Sequence, residues 1–183
     1  MGPHEGEVVL SLVYLGLRWS EMAALKVADV DLMRRRVRIV ERATEVGGRI
    51  DVAAPKSRTS ARHIAVPWLL LPVLRTRTSG RKPEALVFPS PEGDYLRNGN
   101  WKRMVRWDQV TQDLDLAGVT PHDLRRTFGS LARMAGADLR FIQKAMGHES
   151  ITTTARIYAH LYDDELDTIA SALDGLWKGG EQR

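Results

Sequence analysis

The chain has 183 residues, 43% of them apolar, which suits one domain with an ordinary buried core and excludes a disordered tail. Lysine and arginine outnumber aspartate and glutamate by 27 to 23, a modest basic excess that favours a polyanionic partner. The absence of cysteine excludes a disulfide framework, a thiolate metal site and a cysteine nucleophile, and it fits the reducing cytoplasm.

The longest apolar run, "VVLSLVYLGL" (8–17), is interrupted by Ser11 and falls well short of the ~20 residues that span a bilayer, so no membrane segment is expected. Residues 6–15 read as an apolar helix that stops at "GLR", and Ser20 can cap a second short helix, "SEMAALK" (20–26). Arg18 therefore lies on a tight junction between two helices. Stretches 37–44, 50–53 and 62–66 alternate β-branched and polar residues, with "GG" at 47–48 as a turn, and predict a three-stranded antiparallel sheet. The polar, basic connection 54–61 carries Lys56. The run "RRRVR" (34–38) reads as a solvated strand edge.

Helix returns in "WLLLPVLRTRT" (68–78), a loop follows at 78–84, and "ALVFPS" (85–90) is a short extended piece. Asn98 or Asn100 can cap one continuous helix through "WKRMVRWDQVTQDLDLAG" (101–118), with Trp101, Met104, Val105, Val110 and Leu114 on its apolar stripe. Thr120 as N-cap, Pro121 at the first helical position and Asp123 at the third open the next helix, which ends before Gly136. "DLRFIQKAMG" (138–147) is closed by Gly147, and Ser150 caps "ITTTARIYAHL" (151–161). An amphipathic helix over 163–177 precedes a polar tail. The expected class is α+β, mainly α, with one small early sheet.

His122 and Arg125 lie three apart near a helix N-terminus, a placement that lets one face meet an anion. Arg18, set among apolar neighbours, needs a partner, either Glu21 or a ligand. Each of these has a plainer reading when taken alone: surface charge for Arg125 and Lys56, a capping histidine for His122, a core aromatic for Tyr158. Together, two arginines, a lysine, two histidines (His122 and His148) and a tyrosine, with no thiol and no acidic cluster, suit attack by a phenolic oxygen on a phosphodiester.

"GLRWSEMAALK", "PKSRTSARHIAVP", "HDLRRTF" and "MGHESITTTARIYAH" stand in the order and approximate spacing of the tyrosine recombinases, the phage-integrase family, and the chain resembles that family over residues 8–162. Met146, where leucine is usual before "GH", is a departure of similar volume. The resemblance implies a helical catalytic domain with a small sheet, here without the N-terminal helical domain that clamps the other face of DNA. It implies a site-specific recombinase or integrase acting on double-stranded DNA, as a tetramer on its site and a monomer in isolation, with neither metal nor ATP. It implies Tyr158 as nucleophile, Arg18, Arg125 and His148 on the phosphate, Lys56 as general acid, His122 as proton acceptor or phosphate ligand, and Glu21 orienting Arg18.

Arg58, Arg62, Lys102, Arg103 and Arg126 are expected to hold the DNA backbone. The 163–177 helix either completes the core or docks on a neighbouring protomer. Two other readings stay open: a catalytically idle DNA-binding remnant, and a relaxing activity like that of type IB topoisomerases. A metallohydrolase built on His122, Asp123, His148 and His160 matches no standard ligand spacing.

Overall fold

The computed structural model describes residues 3–54 and 61–158. Lys56, Arg58, His160 and the 163–177 segment lie outside the described residues. Two helices, Pro3–Leu15 (α1) and Trp19–Ala24 (α2), open the fold. Gly16 in left-handed conformation (φ 60) turns the chain between them. Arg18, not Ser20, caps α2: Glu21 is the third residue of the helix, and its carboxylate accepts from the Arg18 backbone N–H at 2.9 Å.

The expected three-stranded antiparallel sheet is present, with different members. Val30–Asp31 (β1), Arg36–Ile39 (β2) and Arg62–Ala65 (β5) form it in the order β1-β2-β5, while Arg42–Val46 (β3) and Arg49–Ala53 (β4) make a separate hairpin around Gly47 and Gly48. The predicted strand 37–44 breaks because strict alternation would put Glu41 on the core face with Val37, Ile39 and Ala43. The bend frees its carboxylate to meet Lys26 Nζ at 2.5 Å. "RRRVR" is thus no edge, since β2 is the central strand. Arg36 and Arg38 occupy its outer face, and Arg38 pairs with Asp29.

Leu71–Thr78 (α3) is followed by a bent segment in which buried Val87 and Phe88 lie between two isolated bridges, Leu86 to Lys26 and Pro89 to Tyr95. The predicted helix at 101–118 is two helices, Asn98–Met104 (α4) and Trp107–Asp113 (α5), separated at Arg106 (φ 52). In one continuous helix Trp101 and Trp107 would point about 120° apart. The break turns both indoles into the core, where Trp19, Trp101 and Trp107 pack in series as tilted pairs with centroids 5.2 Å apart.

Pro121–Met134 (α6), Leu139–Met146 (α7) and Ile151–Tyr158 (α8) complete the described chain. The capping box of α6 is as expected: Asp123 Oδ2 accepts from the Thr120 N–H at 2.9 Å and its hydroxyl at 2.6 Å. Among the described residues three apolar clusters hold the fold. The largest joins α1, α2, β2, β5, α3 and the tryptophans; a second joins Ala23 and Ala24 of α2 to Ala43 of β3; the third joins Ile142, Met146 and Tyr158 beneath Phe128 and Ala132.

Gly16 connects the halves, because α6 passes so close that a Cβ there would lie 2.5 Å from the Phe128 ring. Gly16→Ala combines this clash with a left-handed backbone and is expected to destabilise by about 2–4 kcal/mol in denaturant unfolding. Gly80→Ala, at a similar φ of 69 with nothing within 4 Å, is expected to show only the backbone penalty of about 1 kcal/mol. Equal losses at the two positions would contradict the close packing of α6 on the α1–α2 junction.

Candidate active site

The site grows around the C-terminus of α7. An α-helix leaves its last carbonyls without intrahelical partners. Here Gly147, left-handed at φ 63, lets the His148 N–H return to Gln143 O at 3.0 Å, which leaves the carbonyls of Ala145, Met146 and Gly147. Each accepts from a different arginine. Arg62 Nε donates to Ala145 O at 2.7 Å, an Arg125 terminal nitrogen to Met146 O, and Arg18 to Gly147 O at 3.0 Å. The negative end of the helix dipole favours all three cations.

One carboxylate serves the same three. Glu21 accepts from Arg18 at 2.7 Å and from both terminal nitrogens of Arg62 at 3.0 and 2.9 Å, and lies 3.7 Å from Arg125. Burial alone would raise its pKa. Hydrogen bonds and charge from Arg62, the Arg18 backbone bond and the Arg125 charge outweigh that and hold it below the ordinary value. Arg125 is buried and also donates to Gly16 O at 2.5 Å; burial, then the Arg18 charge, push its pKa down to about 9, so it stays a cation at neutral pH. Three guanidinium cations against one carboxylate leave a net charge of +2.

His148 sits directly after this turn, with Nδ1 3.0 Å from the hydroxyl of buried Thr154. Burial, then the charges of Arg125, Arg18 and Arg62, lower its pKa to about 4, so the imidazole is neutral. His122, on the first turn of α6, is also held below the ordinary imidazole value, by partial desolvation and then by Arg125 and Arg126. Two neutral imidazoles thus border a cluster of net positive charge.

Tyr158 is in the described chain the last residue of α8, and it is buried. Its hydroxyl donates to Arg126 O at 3.1 Å and touches Met146 Sδ at 3.5 Å. Its phenol packs against Gly129 of α6, where a Cβ would overlap it. Burial raises the phenol pKa against the opposing pull of Arg125 and Arg126.

Of the expected site residues, Arg18, Glu21, His122, Arg125 and His148 come together and Tyr158 packs alongside; Lys56 lies outside the described residues. Among the expected backbone contacts, Arg103 and Arg126 are exposed, and Lys102 is half-buried, paired with Asp108 at 3.0 Å. Arg62 must be corrected. Its side chain is buried and all three of its guanidinium nitrogens are committed to Ala145 O and Glu21, unlike the exposed Arg103 and Arg126. Strand alternation carried the signal, for Arg62 shares its face of β5 with buried Ile64. Thr154 was also missed; nothing marks it among three consecutive threonines. Among the described residues, no three His, Asp or Glu side chains gather as a metal site, and no helix is long and apolar enough to cross a membrane.

Residues 6–165 match the profile of the phage integrase family. A tyrosine recombinase XerC of Roseiflexus castenholzii is 35% identical over 163 residues, covering 88% of this chain and 49% of the relative. The ICEBs1 integrase of Bacillus subtilis is 27% identical over 171 residues, covering 88% of this chain and 46% of the relative. The chain thus spans about half the length of these curated relatives. The crystal structure of XerA recombinase superposes with a TM-score of 0.64 at 26% identity, covering 98% of this chain and 57% of that one. The Tn1549 transposon integrase in complex with circular intermediate DNA gives a TM-score of 0.73 at 23% identity, over 94% and 59% of the two chains. The fold is that of tyrosine recombinase catalytic domains.

The lowered His148 pKa makes stability pH-dependent. The unfolded chain binds this proton near the ordinary 6.5 and the folded chain near 4, so stability contributed above 6.5 is lost as pH falls towards 4. Unfolding free energies across that window should drop by about 2 kcal/mol more in the parent than in His148→Gln, after discounting for partial exposure; parallel curves would contradict the buried neutral imidazole. Gly129→Ala should expel the Tyr158 ring, and NMR titration of that phenol should then give an ordinary value near 10. A pKa still raised would show that the slot is looser than the packing indicates.

Proposed function

Because the chain belongs to the phage integrase family, we propose that it is the catalytic part of a tyrosine-type, site-specific DNA recombinase, cleaving and rejoining double-stranded DNA through a 3′-phosphotyrosyl intermediate. The observation that carries this reading is the group of guanidiniums fixed on the α7 C-terminus, with His122 and His148 beside it and Tyr158 on the next helix. Arg18 and Arg125 each use both terminal nitrogens, on backbone carbonyls or Glu21. A guanidinium has five N–H donors, so each keeps donors for the non-bridging oxygens of a scissile phosphate.

In the proposed reaction the Tyr158 oxygen attacks phosphorus and the bond to the 5′-oxygen breaks. The phenol proton passes to neutral His122, and Lys56 protonates the departing 5′-oxygen. Charge on the phosphoryl oxygens grows from one to two negative units in the pentavalent transition state. Arg18, Arg125 and His148 meet that increase, and each lost donor should cost about 3–4 kcal/mol of barrier. Every step exchanges one phosphoester for another, so no ATP is consumed, and attack by a second 5′-hydroxyl reverses the chemistry with a new partner strand. The Tyr158 hydroxyl must first leave Arg126 O, so presentation of the nucleophile requires a shift of α8. Assembly as a tetramer on DNA and a contribution of Arg103 and Arg126 to backbone binding belong to the same proposal.

A catalytically idle DNA-binding module is the second reading, and the buried Tyr158 hydroxyl is the observation in its favour. Incubation with a pool of end-labelled, nicked duplexes of randomised sequence, followed by denaturing electrophoresis, separates the two. A covalent band present in the parent and absent in Tyr158→Phe is expected; a band that persists in Tyr158→Phe contradicts the assignment. Binding without linkage would favour the idle module, and plasmid relaxation without strand exchange would favour a topoisomerase.

A further inference from the structure

We propose that Arg62 is a positioning residue of this site: by occupying both oxygens of Glu21 it holds that carboxylate in a loose ion pair with Arg125, 3.7 Å away and short of a hydrogen bond, so that the Arg18 and Arg125 donors stay available to a phosphate. This rests on the reading of the cluster as a phosphate site. The three arginines around Glu21 are not equivalent. Arg18 is 37% exposed along its side chain, whereas Arg62 is 4% exposed and meets Glu21 with two terminal nitrogens at 3.0 and 2.9 Å.

Its Nε is tied to Ala145 O at 2.7 Å, and its guanidinium lies against Gly147, which fixes the plane of the fork. A bidentate pair of this kind is the strongest grip available on a carboxylate. Glu21 Oε2 is 3.7 Å from Arg125, a gap that a small rotation closes. Without Arg62 the buried carboxylate would lack half of its compensation and would turn to Arg125. The ligand guanidinium would then be neutralised by the protein itself. Arg62 thus works at one remove, touching neither phosphate nor nucleophile.

The test titrates inorganic phosphate into the whole chain and follows the His148 ring resonances by NMR, at a temperature where thermal melts show every variant folded. Arg62→Met should weaken phosphate binding by about tenfold, and Arg62→Lys, which keeps a cation, by no more than about threefold. Adding Glu21→Gln to Arg62→Met should restore affinity to within about threefold of Glu21→Gln alone. A role confined to packing would leave the affinity of the folded variants unchanged, and that result overturns the proposal. So do a parent chain that binds no phosphate and a double variant as weak as Arg62→Met. If the parent binds phosphate with this pattern yet never links to DNA, the recombinase reading fails while the role of Arg62 stands. If the parent links to DNA and Arg62→Met binds phosphate like the parent, the reverse holds.

Discussion

Three backbone carbonyls at the end of one helix, each met by a guanidinium from a different part of the fold, are the contact on which the remaining architecture depends. Ala145, Met146 and Gly147 draw in Arg62 from β5, Arg125 from α6 and Arg18 from the α1–α2 junction. Like charges at this density repel one another, and they stay because the helix end and Glu21 supply the opposite charge. The arrangement requires α1 to stop where it does. Gly16 turns the chain there and gives its own carbonyl to Arg125.

The same arrangement explains why the site is both rigid and able to change. The cations are held by backbone groups of packed helices and a strand, so under the proposed reading the arginines need no rearrangement to meet a phosphate. Tyr158 is held differently, by a ring packed on Gly129, a hydrogen bond to Arg126 O and a sulfur contact. Those interactions belong to the apolar cluster of Ile142, Met146 and Tyr158, beside the arginine network rather than within it. The tyrosine is therefore a core aromatic and a candidate nucleophile at once, and leaving the first role is the condition for the second.

Much of this was legible where signals are local. Thr120, Pro121 and Asp123 announce the start of α6 because capping is satisfied within four residues, and Gly147 announces the end of α7 for the same reason. The two breaks were not legible. Glu41 leaves its strand because of Lys26, fifteen positions away, and Arg106 adopts a left-handed conformation so that two tryptophans reach one core. Arg62 lay between these cases. Alternation placed it on the buried face, but its charge suggested a surface contact, and only Glu21 and Ala145 reconcile charge with burial. The gathering of Arg18, His122, Arg125 and His148 depended on long-range packing, which motif order indicated and periodicity did not.

The most direct test of a prebuilt phosphate site is a crystal structure of the chain with orthovanadate, which imitates a phosphoryl group at its transition state. The expected result is vanadate held by Arg18 and Arg125 beside His148, with Arg62 still on both oxygens of Glu21. Vanadate bound elsewhere, or ligated by Arg62 after Glu21 has turned away, would contradict it.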